Sequence, residues 1–336
     1  MATQLRLSTF NVENLFNRYA FLDMPWENRN FEQFVQSVGV VSLASRRGDL
    51  VPYAITDIQR NNTALAILDA QPDVLIVQEI ENIYTLRNFN DIYLNNYFSH
   101  IISIDGNDPR GIDVGLLIKR SRKDITIEQI RTHIDDPKNK GSKVERHSVP
   151  GFGYSATGVI FSRDCLEVDL KVAGKPLTLM ANHLKAQDST PKVSDARRKL
   201  QAERVAALVD IAVAQKRLPV VMGDLNVDAR RKNGQTINAL LKHPELKDPY
   251  GGFSKDQAWT HYFDSQDEIS RLDYILSHKS LKVLTPTGAN VSDTDIVRKG
   301  LTTKAVKHYA GPRYGTVGPI NTEASDHCPV TVTLEL

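Results

Sequence analysis

Short apolar runs that end or begin on polar residues recur along this chain. Leu5-Arg6-Leu7-Ser8-Thr9-Phe10 runs into Asn11 and Glu13, and Val74-Leu75-Ile76-Val77 runs into Gln78 and Glu79. Leu177-Thr178-Leu179-Met180 precedes Asn182 and His183, while Pro219-Val220-Val221-Met222-Gly223 precedes Asp224 and Asn226. In two further runs the charge comes first: Asp113 opens Val114-Gly115-Leu116-Leu117-Ile118, and Asp273 opens Tyr274-Ile275-Leu276. Ser325-Asp326-His327 leads into Cys328-Pro329-Val330-Thr331-Val332. Apolar runs this short, bounded by turn signals, predict buried strands.

Two helices are predicted between them. Asp57 to Ala70 places Ile58, Leu65 and Leu68 on one face and stops at Gln71-Pro72-Asp73. Ser194 can cap a helix reaching Lys216, with Leu200, Ala207, Leu208 and Ile211 inward and Arg197, Arg198, Lys199 and Arg204 elsewhere. Such a charge run reads as a solvated face, with phosphate binding as the sharper alternative.

A single Asp or Asn at a strand end is an ordinary turn former or helix cap. Seven polar clusters at strand ends are another matter, because buried charge costs several kcal/mol unless it is paired or metal-bound. One polar pocket over a hydrophobic sheet accounts for all of them.

Composition narrows the classes. With 336 residues and 41% hydrophobic content, one domain spanning 1–336 is expected. Forty-two Lys and Arg against 40 acidic residues leave a charge of +2, so any phosphate affinity must be local. Two distant cysteines, Cys165 and Cys328, exclude a disulfide framework and a cysteine zinc site, and read as core thiols. No segment approaches about 18 apolar residues, so no membrane span is expected. No leader pattern precedes Leu5, which predicts a cytoplasmic protein, although a chain trimmed of its leader, and so secreted, would read the same. Without a leader the sequons at Asn61 and Asn290 read as chance. No obligate protein partner is evident.

Three stretches lack periodicity and are expected as long loops: 19–53, 131–154 and 285–322. The first could present an apolar surface through Phe31, Phe34, Val35, Val38, Val40 and Val41. The last holds Lys299, Lys304, Lys307, His308, Tyr309, Arg313 and Tyr314, an interleaving of cations and aromatics that suits single-stranded nucleic acid. Solvated loop charge is the competing reading.

The pocket inventory is oxygen-rich: Glu79, Asp113, Asp224, Asp273, Asp326, Asn11 and Asn226, with the imidazoles His183 and His327. Such a set favours a hard cation, Mg²⁺ or Mn²⁺, over zinc. Magnesium takes one or two carboxylates plus phosphate oxygens, leaving the other groups for proton transfer and charge stabilisation. A carboxylate at an imidazole nitrogen fixes its tautomer and stabilises its cation, and two such pairs are available, Asp113 with His183 and Asp273 with His327.

The ordered motifs Asn-Val-Glu-Asn (11 to 14), Gln-Glu (78 and 79), Gly-Ile-Asp-Val-Gly (111 to 115), Asn-His-Leu-Lys (182 to 185), Gly-Asp-Leu-Asn (223 to 226), Arg-Leu-Asp-Tyr (271 to 274) and Ser-Asp-His (325 to 327) resemble the endonuclease/exonuclease/phosphatase, or DNase I-like, superfamily. The resemblance covers essentially the whole chain and implies a four-layer α/β sandwich, two packed mixed β-sheets flanked by helices. It implies Glu79 as principal metal ligand with Asn11 beside it and Asp326 close to the metal. Asp224 and Asn226 would position or deprotonate the attacking water and contact the scissile phosphate. His327, oriented by Asp273, would be general base or phosphoryl donor, and His183, paired with Asp113, would protonate the leaving group.

Among substrates, Asn182-His183-Leu184-Lys185 resembles the wording of bacterial DNase I-like nucleases, with Lys185 as a phosphate contact. A metal-dependent phosphodiesterase acting on nucleic acid, DNA and perhaps RNA, is therefore expected. A sphingomyelin or inositol-phosphate hydrolase of the same superfamily is the alternative. A catalytically inactive binding protein would lack at least one of these positions, and none is missing.

Overall fold

Alternation of apolar residues along the strands sorts the core into layers. The computed structural model describes residues 3–15, 19–22, 49–52, 56–108, 110–149, 153–287 and 291–336. Six strands form the first sheet: β1 (Gln4–Leu15), β2 (Val74–Ile80), β3 (Phe98–Ser103), β4 (Asp113–Lys119), and, from the end of the chain, β11 (Lys282–Thr285) and β12 (Val330–Glu335). Their order is β11-β12-β1-β2-β4-β3. The second sheet holds β5 (Ile125–Arg131), β6 (Cys165–Val172), β7 (Lys175–His183), β8 (Leu218–Asp224), β9 (Leu246–Lys247) and β10 (Asp273–His278), in the order β9-β10-β8-β7-β6-β5.

Each sheet has one parallel pair, β1 with β2 and β7 with β8, among antiparallel neighbours. Each pair is joined by a helix, as a parallel crossover requires: α1 (Asp57–Ala70) in the first sheet and α3 (Pro191–Ala214) in the second. The halves therefore repeat one plan, and β4 beside β2 occupies the place that β10 occupies beside β8.

Leu5, Leu7, Val74, Ile76, Val114 and Leu116 from the first sheet meet Leu177, Leu179, Val220, Met222 and Ile275 from the second in the central core. The opposite faces carry Phe10, Leu75, Val77 and Leu117 under α1 and α2 (Ile83–Ile92), and Met180, Val221, Tyr274 and Leu276 under α3. This is the expected four-layer sandwich, helix on sheet on sheet on helix. Full burial of each such aliphatic side chain contributes roughly 1.5–3 kcal/mol, so the two-residue period along each strand is strongly enforced.

Both predicted helices form, but on faces only partly those expected: Leu68, Leu200 and Leu208 pack inward and the other large residues expected there do not. In α1, capped by a Thr56–Gln59 capping box, Ile58 and Leu65 are exposed and the small residues Ala64, Ala66 and Ala70 pack with Ile67. Small residues let the helix approach the sheet closely, which outweighs side-chain size. Helix α3 starts earlier than expected, at Pro191, a residue suited to the first turn, so Ser194 lies inside it and bonds back to Pro191 O at 3.2 Å. Leu208 is buried as expected, whereas Ile211 is exposed. Arg198 is fully buried and spends its guanidinium on Asp195, the Lys185 carbonyl and Thr236, making it an internal strut rather than a solvated or phosphate-binding charge.

The loops also differ from expectation. Residues 145–149 and 153–157 pair as a hairpin inside and beyond the second loop, and 19–22 pairs with 49–52. Phe31, Phe34, Val35, Val38, Val40, Val41 and Asn290 lie outside the described residues. In the third loop the cations answer to nearby acids: Lys299 to Asp69, Lys304 to Asp264, Lys307 to Asp267. Arg313 donates to the carbonyls of Leu301, Thr302 and Tyr309. Charges committed this way do not form a free cationic track. Cys165 and Cys328 are both buried thiols. Among the described residues no helix is long and apolar enough to cross a membrane.

Candidate active site

The inward phase of the strands continues past their apolar parts into the site. Leu7 and Thr9 lead to Asn11, Leu179 and Ala181 to His183, Val220 and Met222 to Asp224, and Ile275 back to Asp273, so these side chains leave the same face as the central core. Together with Glu79, Asn226, Asp326 and His327, three of them (all but Asp273) line one cleft of about 440 Å³.

Local backbone devices aim the rest. Gln78 keeps the inward phase and bonds Thr9 Oγ1 at 3.0 Å, and the ladder then slips between Gln78 and Ile80. Glu79 sits at that bulge with φ +64°, a conformation that a non-glycine residue adopts at a cost; the kink turns its carboxylate into the cleft. Gly223 has φ +136°, and a Cβ there would stand 1.9 Å from the Asn182 carbonyl oxygen, so only glycine lets β8 lie against the end of β7. Asn226, at φ +56°, donates its backbone N–H to Asp224 Oδ1 at 2.7 Å and its amide to Asp224 Oδ2 at 3.1 Å.

At the centre, Asn11 Nδ2 bridges Glu79 Oε1 at 3.3 Å and Asp224 Oδ2 at 3.1 Å, with its Oδ1 taking the Glu13 N–H. Thr260 Oγ1 donates to Asp273 Oδ2 at 2.7 Å, and that same oxygen meets His327 Nδ1 at 2.8 Å. His327 Nε2 is left facing the cleft, 3.9 Å from Asp224 Oδ2. The expected Asp273–His327 pair is thus made.

The expected Asp113–His183 pair is not. Val114, Leu116 and Ile118 fill the central core, so Asp113 falls on the opposite phase of β4. Its Oδ1 accepts the Gly106 N–H at 2.7 Å, behind the cleft wall. His183 instead approaches Asp224 Oδ2 at 3.5 Å and Glu79 Oε1 at 3.8 Å, and its Nδ1 has no hydrogen-bond partner among the described residues. Lys185 also departs from expectation: its ammonium pairs with Asp188 at 2.8 Å, and it is not part of the cleft wall.

Electrostatics divide the groups by role. Burial disfavours a charged His327, but Asp273, Asp326 and Asp224 outweigh it and hold the ring protonated well above its ordinary range. Burial, with Asp273, pushes the Asp224 carboxyl up to about 7 against the pull of His327. Burial, reinforced by Arg163, His327 and Arg110, pushes His183 well below its usual value and keeps it neutral. Burial and the neighbouring Asp326 push Glu13 up to about 8.

A divalent cation suits this crowding. Glu13 takes the Asp326 N–H at 2.8 Å and feels Glu323 and Glu79 as well, so acid is in excess where Glu79, Asn11 and Asp326 would supply oxygen ligands.

Several cleft residues carried no signal in the strand pattern. Arg163 is buried, 3.2 Å from Asp108 Oδ2 and donating to the Leu184 carbonyl at 3.1 Å. Arg110 forms a two-pronged pair with the same Asp108. On a hairpin with 268–270, His261 stands beside His327 and Phe263 stacks beside His261, both lining the cleft. The Arg-Gly preceding Ile112-Asp113 and the Trp-Thr-His before Tyr262 are the only traces of them in the sequence.

Comparison with known proteins agrees with this architecture. A sequence model described as the Endonuclease/Exonuclease/phosphatase family matches residues 9–327. No curated protein sequence matches the chain. Similar solved structures include an endonuclease/exonuclease/phosphatase from Bacteroides vulgatus, with TM-score 0.58 and 16% identity over 99% of both chains. A mannosyl-6-phosphatase of Bacteroides thetaiotaomicron gives TM-score 0.56 and 15% identity over 99% of this chain and 100% of that one. The catalytic domain of human Nocturnin, with bound sulfate, gives 0.55 and 15% over 100% and 95%. At such identities the structures speak for the fold, and the sequence match speaks for descent: the chain belongs to the Endonuclease/Exonuclease/phosphatase family, whose members are metal-dependent phosphoesterases.

Proposed function

We propose that this protein is a divalent-metal-dependent phosphodiesterase that hydrolyses nucleic acid, DNA and perhaps also RNA, by in-line attack of an activated water. The observation that carries the reading is the line Thr260–Asp273–His327, whose free Nε2 faces Asp224 across a cleft that also holds Glu79 and Asn11. Asp273 fixes the His327 tautomer and supports its cation, which suits a donor to a phosphoryl oxygen. Asp224, held by Asn11 and Asn226, is placed to take the proton of the attacking water. Held neutral, His183 fits a hydrogen-bond donor to phosphate better than the proton source that family resemblance implies. Glu79, Asn11 and Asp326 would hold Mg²⁺ or Mn²⁺, which supplies charge neutralisation at phosphorus and a more acidic water.

A nucleic acid is favoured by Phe263, an exposed ring lining the cleft, together with Arg110 and Arg163, which line the same cleft. A stacking platform beside guanidinium groups is how a base and its phosphate are held together. The second reading is a hydrolase of small phosphate esters, inositol or sphingolipid phosphates included. It is favoured by the bounded cleft volume and by fold likeness to a mannosyl-6-phosphatase.

Plasmid DNA incubated with the purified protein should be cut with Mg²⁺ or Mn²⁺ and spared in EDTA; cutting in chelator removes the metal from the reading. A panel of duplex DNA, single-stranded DNA, RNA, abasic duplex, sphingomyelin, inositol phosphates and sugar phosphates decides the substrate. Turnover confined to the last three overturns the nuclease assignment.

A further inference from the structure

We propose that His261, Asp326 and His327 form a binding site for a transition-metal dication of the Mn²⁺, Co²⁺ or Zn²⁺ class, with a ligand set that shares only Asp326 with the oxygen-rich set around Glu79 and Asn11. Their ligand atoms all lie within 4.8 Å of one another. His261 Nε2 is 3.4 Å from Asp326 Oδ2, and His327 Nε2 is 3.9 Å from Asp326 Oδ1. Ligands bonded at about 2.1 Å to one ion sit roughly 3 to 4 Å apart, so each imidazole is already within that range of one of the two Asp326 oxygens, and a small turn of this part-exposed carboxylate brings one oxygen to both.

The second nitrogen of each imidazole is already engaged. His327 Nδ1 is held by Asp273 at 2.8 Å and His261 Nδ1 by Ser270 Oγ at 3.1 Å, leaving both Nε2 atoms toward Asp326. Outer partners of this kind fix the tautomer and orientation of ligating histidines. The backbone sets the juxtaposition: His261 and His327 form an antiparallel bridge, and Tyr262 N donates to the Asp326 carbonyl at 2.9 Å. The rings lie 4.7 Å apart between centroids, and all three residues open on the cleft, so an exogenous oxygen can complete the coordination.

Two imidazoles and one carboxylate select borderline transition ions over Mg²⁺, which prefers oxygen and retains water. An ion here displaces the proton from His327 Nε2, the atom that the proposed reaction turns toward phosphate, so a tightly held zinc-class ion opposes Mg²⁺-supported turnover. Only that consequence rests on the proposed function; the binding does not.

The test is a titration of the chelator-stripped full chain with Co²⁺ alone, read by visible d–d absorption. The expected result is saturable bands that excess Mg²⁺ leaves in place, with affinity roughly ten-fold or more weaker in His261→Ala and little changed in Glu79→Gln. Should His261→Ala lose its native circular dichroism, His261→Gln replaces it. Absence of bands, bands unaffected by both His261 substitutions, or bands lost only in Glu79→Gln overturns the proposal.

Discussion

Asp273 and Asp113 open corresponding strands of the two sheets, each antiparallel to the second member of its sheet's parallel pair, and they do opposite things. Asp273 shares the inward phase of Ile275, reaches the cleft side and binds His327. Asp113 lies out of phase with Val114 and Leu116, turns away and ties down the Gly106 N–H in the segment that carries Asp108 and Arg110. One residue of register separates a group that orients the His327 imidazole from one that anchors a loop. A duplicated plan therefore supplies two matching frames, and strand phase decides which frame sets its aspartate against the cleft imidazole.

The contrast predicts where activity is concentrated. The largest effect belongs to the groups at the end of the Asp273 side: His327→Ala or Asp224→Asn should lower kcat by about a thousand-fold or more. Melting temperatures near the parent value would show that folding survives; near-parental rates would refute the assignment. The comparison itself is tested by the matched pair Asp273→Asn and Asp113→Asn. The first removes the charge behind His327 and should reduce kcat roughly a hundred-fold or more, while the second should stay within about ten-fold. Equal losses in the two variants would mean that Asp113 reaches the site in the working enzyme.

How legible this was in the sequence depends on which signal each residue used. The apolar runs exposed the strands, and their polar ends named Asn11, His183, Asp224 and Asp273, because inward phase and strand end coincide there, along with Glu79 and His327, which lie one residue off that phase. The same runs show Asp113 equally plainly. Its phase follows only from knowing that Val114, one residue on, faces the other sheet. Helix faces were misjudged for a related reason: close approach to a sheet selects alanines, as in α1, so the largest apolar side chains do not mark the buried side. Arg163 belongs to an irregular segment and His261 to a short hairpin, and both are positioned by partners far along the chain, Asp108 for the one and Asp326 for the other, while Arg110 is held by its neighbour Asp108 in a loop. No local pattern announces them.

Arg163 belongs to the Asp113 side of the contrast, since its partner Asp108 lies in the segment that Asp113 anchors. Arg163→Met should raise KM roughly ten-fold with a smaller fall in kcat, as loss of a charge-assisted phosphate contact does. Steady-state kinetics that show kcat alone affected would instead place Arg163 with the proton-transfer groups.

The smallest expected effect is on stability and isolates Asp113. Burial pushes its carboxyl from the ordinary 3.8 to about 8 in the folded chain. Between those values the folded chain keeps a proton that the unfolded chain has lost, so this group makes stability fall as pH rises through that window. One group contributes a slope of at most about 1.4 kcal/mol per pH unit, and the loss is complete once pH passes the folded value. Asp113→Asn has no proton to lose and keeps an oxygen for the Gly106 N–H. Its urea midpoint should therefore drop less than the parent's between about pH 5 and about pH 8. Parallel midpoints for the two proteins across that range would show that Asp113 ionises in the folded chain without penalty, and the division of labour between the two aspartates would fail at its structural end.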